Sequence, residues 1–114
     1  MPADPVCISF TLEFKRNLRA LAKKYRSIRS DIQPLIDQLL TGKLPGDQVP
    51  GIGLTIFKVR LQNSDIQKGK RSGYRCIYYF KTQNDIILVT VYSKSEQSDV
   101  TASKLQSILQ EMGY

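Results

Sequence analysis

The feature that most constrains this chain is a run of strand-like segments crowded into residues 54–93. Residues 54–62 alternate, with Phe57, Val59 and Leu61 pointing one way and Lys58 and Arg60 the other, which is the period of two of a β-strand. Residues 73–81 follow, rich in Tyr and Ile, residue types that favour strands. Residues 85–93 carry Ile86, Ile87, Leu88, Val89 and Val91 in close succession, as a central strand buried on both faces would. Gln83-Asn84-Asp85 leaves room for a tight hairpin between the last two, whereas residues 65–72 join the first two through a basic, Gly-containing loop. A chain built this way must form a sheet, and its remaining segments must cover it.

Those segments read mostly as helices. Residues 5–10 suggest a short first strand, after which Thr11 is placed to cap a helix. Phe14, Leu18, Leu21 and Tyr25 then form one amphipathic stripe ending near Tyr25 or Ile28. A second helix is expected with Asp31 as its N-cap. Pro34 would then fall at the third helical position, where no intrahelical N–H is required, with Leu35, Ile36, Leu39 and Leu40 as the stripe and Thr41-Gly42 as the stop. Residues 43–53, rich in Pro and Gly, read as a loop. A last helix is expected from Ser98 or Thr101, with Leu105, Ile108, Leu109 and Met112 inward. The expected fold is α+β: a helical hairpin and a C-terminal helix packed on a small, mainly antiparallel sheet. At 114 residues the chain suffices for one domain, 1–114.

Composition removes much chemistry. The chain has no His, which excludes Ser-His-Asp and Cys-His catalysis, His-type zinc sites and a His general base. Its two cysteines, Cys7 and Cys76, lie far apart in apolar runs, form no CxxC pair and are expected as buried free thiols. No metal and no cofactor are called for. No apolar run approaches the ~18 residues of a membrane span. Met1-Pro2-Ala3-Asp4 does not resemble a signal peptide, so a cytoplasmic protein with no membrane partner is expected.

The net charge of +7 is concentrated. Residues 15–29 hold Lys15, Arg16, Arg19, Lys23, Lys24, Arg26 and Arg29 with no acid. Residues 58–81 hold Lys58, Arg60, Lys68, Lys70, Arg71, Arg75 and Lys81 against Asp65 alone. The remainder is acidic, with Lys43, Lys94 and Lys104 against nine carboxylates. Such asymmetry favours an anionic partner. The first block falls on the wet face of the first helix, as a solvated surface or a footing on a nucleic acid backbone.

The second block has the makings of a site. Lys58 and Arg60, two apart on a strand, share one face at roughly 6–7 Å. Arg75 belongs with them on a face expected to be open, since an Arg buried without compensation is costly. Lys68, Lys70 and Arg71 can fold over the same face, and Lys94 lies just past the third strand. RNA cleavage by 2′-hydroxyl attack requires a held phosphate, a neutralised pentavalent transition state and moved protons. Arg suits bidentate phosphate contact, and Lys serves as a charge or, among other cations, as a base. Such a cluster can act without His or metal. Tyr79 and Tyr92 are candidates to stack on bases. Glu96 and Asp99 are the nearest carboxylates, and Asp99 also suits a helix cap.

Three segments taken in order carry a family resemblance: Phe57-Lys58-Val59-Arg60-Leu61, Lys68-Gly69-Lys70-Arg71-Ser72-Gly73-Tyr74-Arg75, and Val91-Tyr92-Ser93-Lys94-Ser95-Glu96. Together they resemble the RelE/ParE toxin superfamily, with the likeness strongest to RelE-type and HigB-type toxins of type II toxin–antitoxin systems. The resemblance implies a microbial-RNase-like fold and metal-independent cleavage of mRNA in the ribosomal A site. It also implies inhibition by a cognate antitoxin protein. By motif position Lys58 and Arg60 match the paired basic residues, Arg75 the phosphate-binding Arg, and Lys94 a further cation. The chain departs from the pattern at Ser95, where an Arg is common, and at Thr101, where a Tyr is common, leaving Lys94 and Tyr92 as candidate general acids. The alternatives are a ParE-like, non-catalytic inhibitor of DNA gyrase and a non-toxic basic binding module.

Overall fold

A computed structural model describes residues 5–66 and 72–114. The expected Lys68, Lys70 and Arg71 cluster lies outside these residues. In chain order the elements are β1 (Cys7–Phe10), α1 (Leu12–Lys24), α2 (Ile28–Leu40), β2 (Asp47–Gln48), β3 (Ile56–Leu61), β4 (Tyr74–Thr82), β5 (Asp85–Ser93) and α3 (Ala102–Glu111). They form an α+β fold around a five-stranded open sheet of order β1-β5-β4-β3-β2. Every neighbouring pair is antiparallel except β1 and β5, which run parallel from Cys7↔Asp85 to Phe10↔Leu88. No helix among the described residues is long and apolar enough to cross a membrane.

The sheet is covered on both faces. On one, Phe14 of α1 and Ile28, Ile32, Leu35 and Leu39 of α2 meet Val59, Leu61, Cys76, Tyr78, Leu88 and Val91, as the alternation of β3 anticipates. On the other, Leu105, Ile108 and Leu109 of α3 meet Ile56, Ile77, Val89 and Tyr92. The face carrying Lys58 and Arg60 is therefore open only in part. α3 occupies one end of it, because Ile56, Ile77 and Val89 present apolar surface there that must leave water.

β5 does not keep a single alternation. Ile77 pairs with Thr90 but Tyr78 with Leu88, so Val89 is an extra residue, a β-bulge. Before it, Ile86 and Leu88 face α1 and α2; after it, Val91 does. Val89 and Tyr92 consequently face α3. Polar groups of α1 satisfy the bulge. Thr11 Oγ1 donates to the Val89 carbonyl at 2.6 Å and accepts from the Phe14 N–H at 2.9 Å, so one hydroxyl caps α1 and bolts it to the bulge. Asn17 Oδ1 accepts from Thr90 Oγ1 at 2.7 Å and from the Val91 N–H at 3.2 Å.

The start of α2 differs from expectation. The helix begins at Ile28, with Ser27 rather than Asp31 as N-cap, so Pro34 lies inside it instead of in its first turn. Asp31 faces away from that duty and accepts from the Ser64 N–H at 3.0 Å and its hydroxyl at 3.1 Å. In return Asp65 accepts from the Ser27 N–H at 2.9 Å and its hydroxyl at 3.1 Å. One carboxylate supplied across the fold, Asp65, thus holds the cap residue Ser27, while Asp31 of the helix itself ties its first turn to Ser64; the interior proline, which costs about 3 kcal/mol in a helix, sits on the exposed side. Leu40, expected inward, is exposed.

The 43–53 loop contains β2, whose Asp47 pairs with Lys58. Gly46 permits this approach: its φ is +94°, and a Cβ there would collide with the Lys58 carbonyl. Cys7, expected buried, is exposed on edge strand β1, whereas Cys76 is buried and burial pushes its thiol pKa up. Thr11→Val should lower the unfolding free energy by about 2 kcal/mol, the sum of a lost cap and an unsatisfied buried carbonyl. Exposed Ser103→Ala should stay within about 0.5 kcal/mol of the parent. Urea unfolding of both variants checks this.

Candidate functional site

The end of the sheet face that α3 leaves uncovered is cationic. Strand register sets Arg60 directly opposite Arg75, and Arg75 directly opposite Tyr92. Like charges facing each other across a ladder are unfavourable, so this end of the sheet is built against its own stability. Lys58 lies on the same face of β3 as Arg60. Lys94 continues the edge of β5, its N–H donating to the Gly73 carbonyl at 2.9 Å.

One carboxylate gathers three of these side chains. Asp99 receives Lys94 Nζ at 3.1 Å on one oxygen and Lys58 Nζ at 3.7 Å on the other. The Tyr92 hydroxyl donates to the Lys94-bound oxygen of Asp99 at 3.1 Å and itself accepts from the Val100 N–H at 3.4 Å. Asp99 is not the cap of α3; Thr101 is, accepting from the Lys104 N–H at 3.2 Å. The Lys94 ammonium, and after it the Tyr92 hydroxyl and the Lys58 charge, hold the Asp99 carboxyl below the usual carboxylate range. An aspartate held there is ionised at neutral pH and a weak proton acceptor. Burial pushes the Tyr92 hydroxyl up to about 12, Asp99 adding to the rise and the Arg75 charge opposing it. Tyr92 therefore stays protonated near neutral pH and keeps its hydrogen bond to Asp99.

Beside Lys58 and Arg60 lies a cleft of about 570 Å³ whose far wall is residues 46–50, including Asp47 and Gln48 of β2. Lys58 stands at the junction of this cleft with the Asp99 cluster. A second link reaches α1, where Lys24 Nζ pairs with Glu96 at 3.2 Å. The seven basic residues of 15–29 are all exposed, so the charged helix face runs up to the segment that carries Lys94 and Asp99.

The expected residues separate into those the fold assembles and those it does not. Lys58, Arg60 and Lys94 come together at the surface. Arg75 shares their face but is only 5% exposed, contrary to the expectation that it would stand in the open. Its Nη1 donates to the Tyr74 carbonyl at 3.2 Å, and the side chain is withdrawn from solvent. Tyr92 is 4% exposed and offers no ring face for stacking. Tyr79 is half-buried farther along β4, where Tyr114 packs edge-on at 5.3 Å. The residue that sequence reasoning undervalued is Asp99. Its signal was Thr101, which already fills the cap position and leaves Asp99 without a structural duty. A search against models of known protein families finds none that matches this chain.

Because the folded protein depresses the Asp99 pKa, the stability Asp99 contributes is complete above its unfolded pKa. It is lost as pH falls through the lower folded value. In a ¹³C carboxyl titration Asp99 should therefore titrate below an unperturbed aspartate, and Lys94→Ala should move its midpoint upward.

Proposed function

We propose that this protein is a toxin of a type II toxin–antitoxin system, a RelE-like endoribonuclease that cleaves mRNA on the ribosome. The observation that carries the reading is the grouping of Lys58, Arg60 and Lys94, with buried Arg75 opposite Arg60, on one sheet face beside an open cleft. The ordered motifs around these residues supply the family resemblance. In this reading Arg60 grips the scissile phosphate at the surface, and Arg75 adds positive potential from its buried position. Lys58 accepts the 2′-hydroxyl proton or, with Lys94, stabilises the pentavalent transition state. The 2′-oxygen attacks phosphorus, the bond to the 5′-oxygen breaks, and the departing oxygen takes up a proton. Lys68, Lys70 and Arg71 position the RNA, and the basic face of α1 rests on nucleic acid backbone. The partners are A-site mRNA and a cognate antitoxin, and the compartment is the cytoplasm.

Expression in a bacterial host should arrest growth and yield mRNA fragments with new 5′ ends. Arg60→Ala and Lys94→Ala should each cut cleavage by roughly 100-fold or more, the scale of losing one transition-state donor. Arg75→Lys, which keeps the buried charge, should retain more activity than Arg75→Ala. Equal arrest by parent and Arg60→Ala with transcripts intact would overturn the reading. Stabilised DNA breaks under those conditions would point to gyrase as the target.

A further inference from the structure

We propose that Asp99 is a built-in stand-in for the substrate phosphate: in the free protein its carboxylate occupies the anion seat between Lys58 and Lys94, and RNA engages those lysines by displacing it. The identity of the displacing anion rests on the nuclease reading above. The seat itself rests on geometry. Two ammonium groups, one from within β3 and one from just past the end of β5, approach different oxygens of one carboxylate, at 3.7 Å and 3.1 Å. A phosphodiester offers the same arrangement, a pair of non-bridging oxygens sharing one negative charge, so the two groups are interchangeable in that position.

Asp99 is also placed to leave. Its side chain is 48% exposed, in the stretch between β5 and α3, and it caps no helix. Swinging it aside opens no core. Its hold consists of two exposed ion pairs, weak individually, and one hydrogen bond from Tyr92. A lone phosphate ion that replaces it gains little, because one anion is exchanged for another. A polynucleotide gains more, since its neighbouring phosphates and bases also reach Arg60 and the adjoining cleft. Asp99 therefore holds Lys58 and Lys94 together while the site is empty, and it biases the site against single small anions.

The test is binding of a short single-stranded RNA with 2′-O-methyl riboses, which cannot supply the attacking hydroxyl, to the full chain over a range of salt. Asp99→Asn should tighten binding roughly three- to tenfold at low salt and steepen the salt dependence by about one counterion. Asp99→Glu, which keeps the anion, should stay near the parent. Glu96→Gln removes an equal charge that pairs instead with Lys24, and should gain less than about twofold. Lys94→Ala added to Asp99→Asn should abolish the gain. A folded Asp99→Asn protein that binds no tighter, or gains no more than Glu96→Gln, would overturn the proposal. A second measurement needs no variant: saturating the parent with the same RNA should shift the Asp99 ¹³C carboxyl signal and raise its titration midpoint as Lys94 leaves it. An unchanged signal would equally overturn the proposal. Cleavage on ribosomes is scored separately. Tighter binding by Asp99→Asn with transcripts intact refutes the nuclease and leaves the anion seat. Cleavage without tighter binding refutes the seat alone.

Discussion

Val89 is accommodated in β5 because α1 receives the backbone groups that its bulge displaces. The Thr11 hydroxyl takes the Val89 carbonyl, and the Asn17 amide oxygen takes the Val91 N–H. Unmet, those groups would be buried at a cost of about 1–3 kcal/mol each. Met by α1, they fix where that helix sits and reverse the facing of every later residue of β5. Without the reversal Tyr92 would share the face of Leu88, under α1 and α2. With it, Tyr92 turns to the opposite face, beside Arg75 and within reach of Asp99. The packing of one helix and the composition of the site on the other side of the sheet thus follow from a single inserted residue.

The cationic end of that face trades stability for charge. Arg60 opposes Arg75 across the ladder, and Lys58 and Lys94 share one aspartate. Apolar residues at these positions would pack more favourably, as they do at the end where α3 covers Ile56 and Ile77. The division of the face into a dry half and a charged half is what allows a sheet this small to carry both a core and a cationic surface.

Much of the fold was legible in the sequence where the signal is local. The apolar run 85–93 is a strand over the expected residues, Thr11 caps α1, a last helix begins just past Thr101, one of its two expected starts, and the alternation of β3 points Val59 and Leu61 into the core. What escaped was set by distant partners. Asp31 looks like a cap until Ser64 arrives to claim it. The segment around Asp47 looks like plain loop until β3 lies alongside. Alternation in β5 carries no mark of the residue at which it slips. For the site, Lys58, Arg60 and Lys94 could be grouped from strand periodicity and position. The burial of Arg75 and the contacts of Asp99 with Lys58, Lys94 and Tyr92 are set by residues distant in sequence and carry no local mark.

The parallel pairing of β1 with β5 has a consequence for how the chain is made. Cys7 registers with Asp85, and Thr11 bonds to Val89 across 78 positions of sequence. A strand emerging early from synthesis has no edge to join until residues 85–93 have followed it, and contacts of such long separation form late. Until then α1 and α2 can pair with each other but have no sheet to rest on, and the Thr11 hydroxyl has no Val89 carbonyl to donate to. The cationic face is therefore completed only after β5 and the stretch from Ser93 to Thr101 have been made, and a nascent chain carries much of its charge before it carries that face.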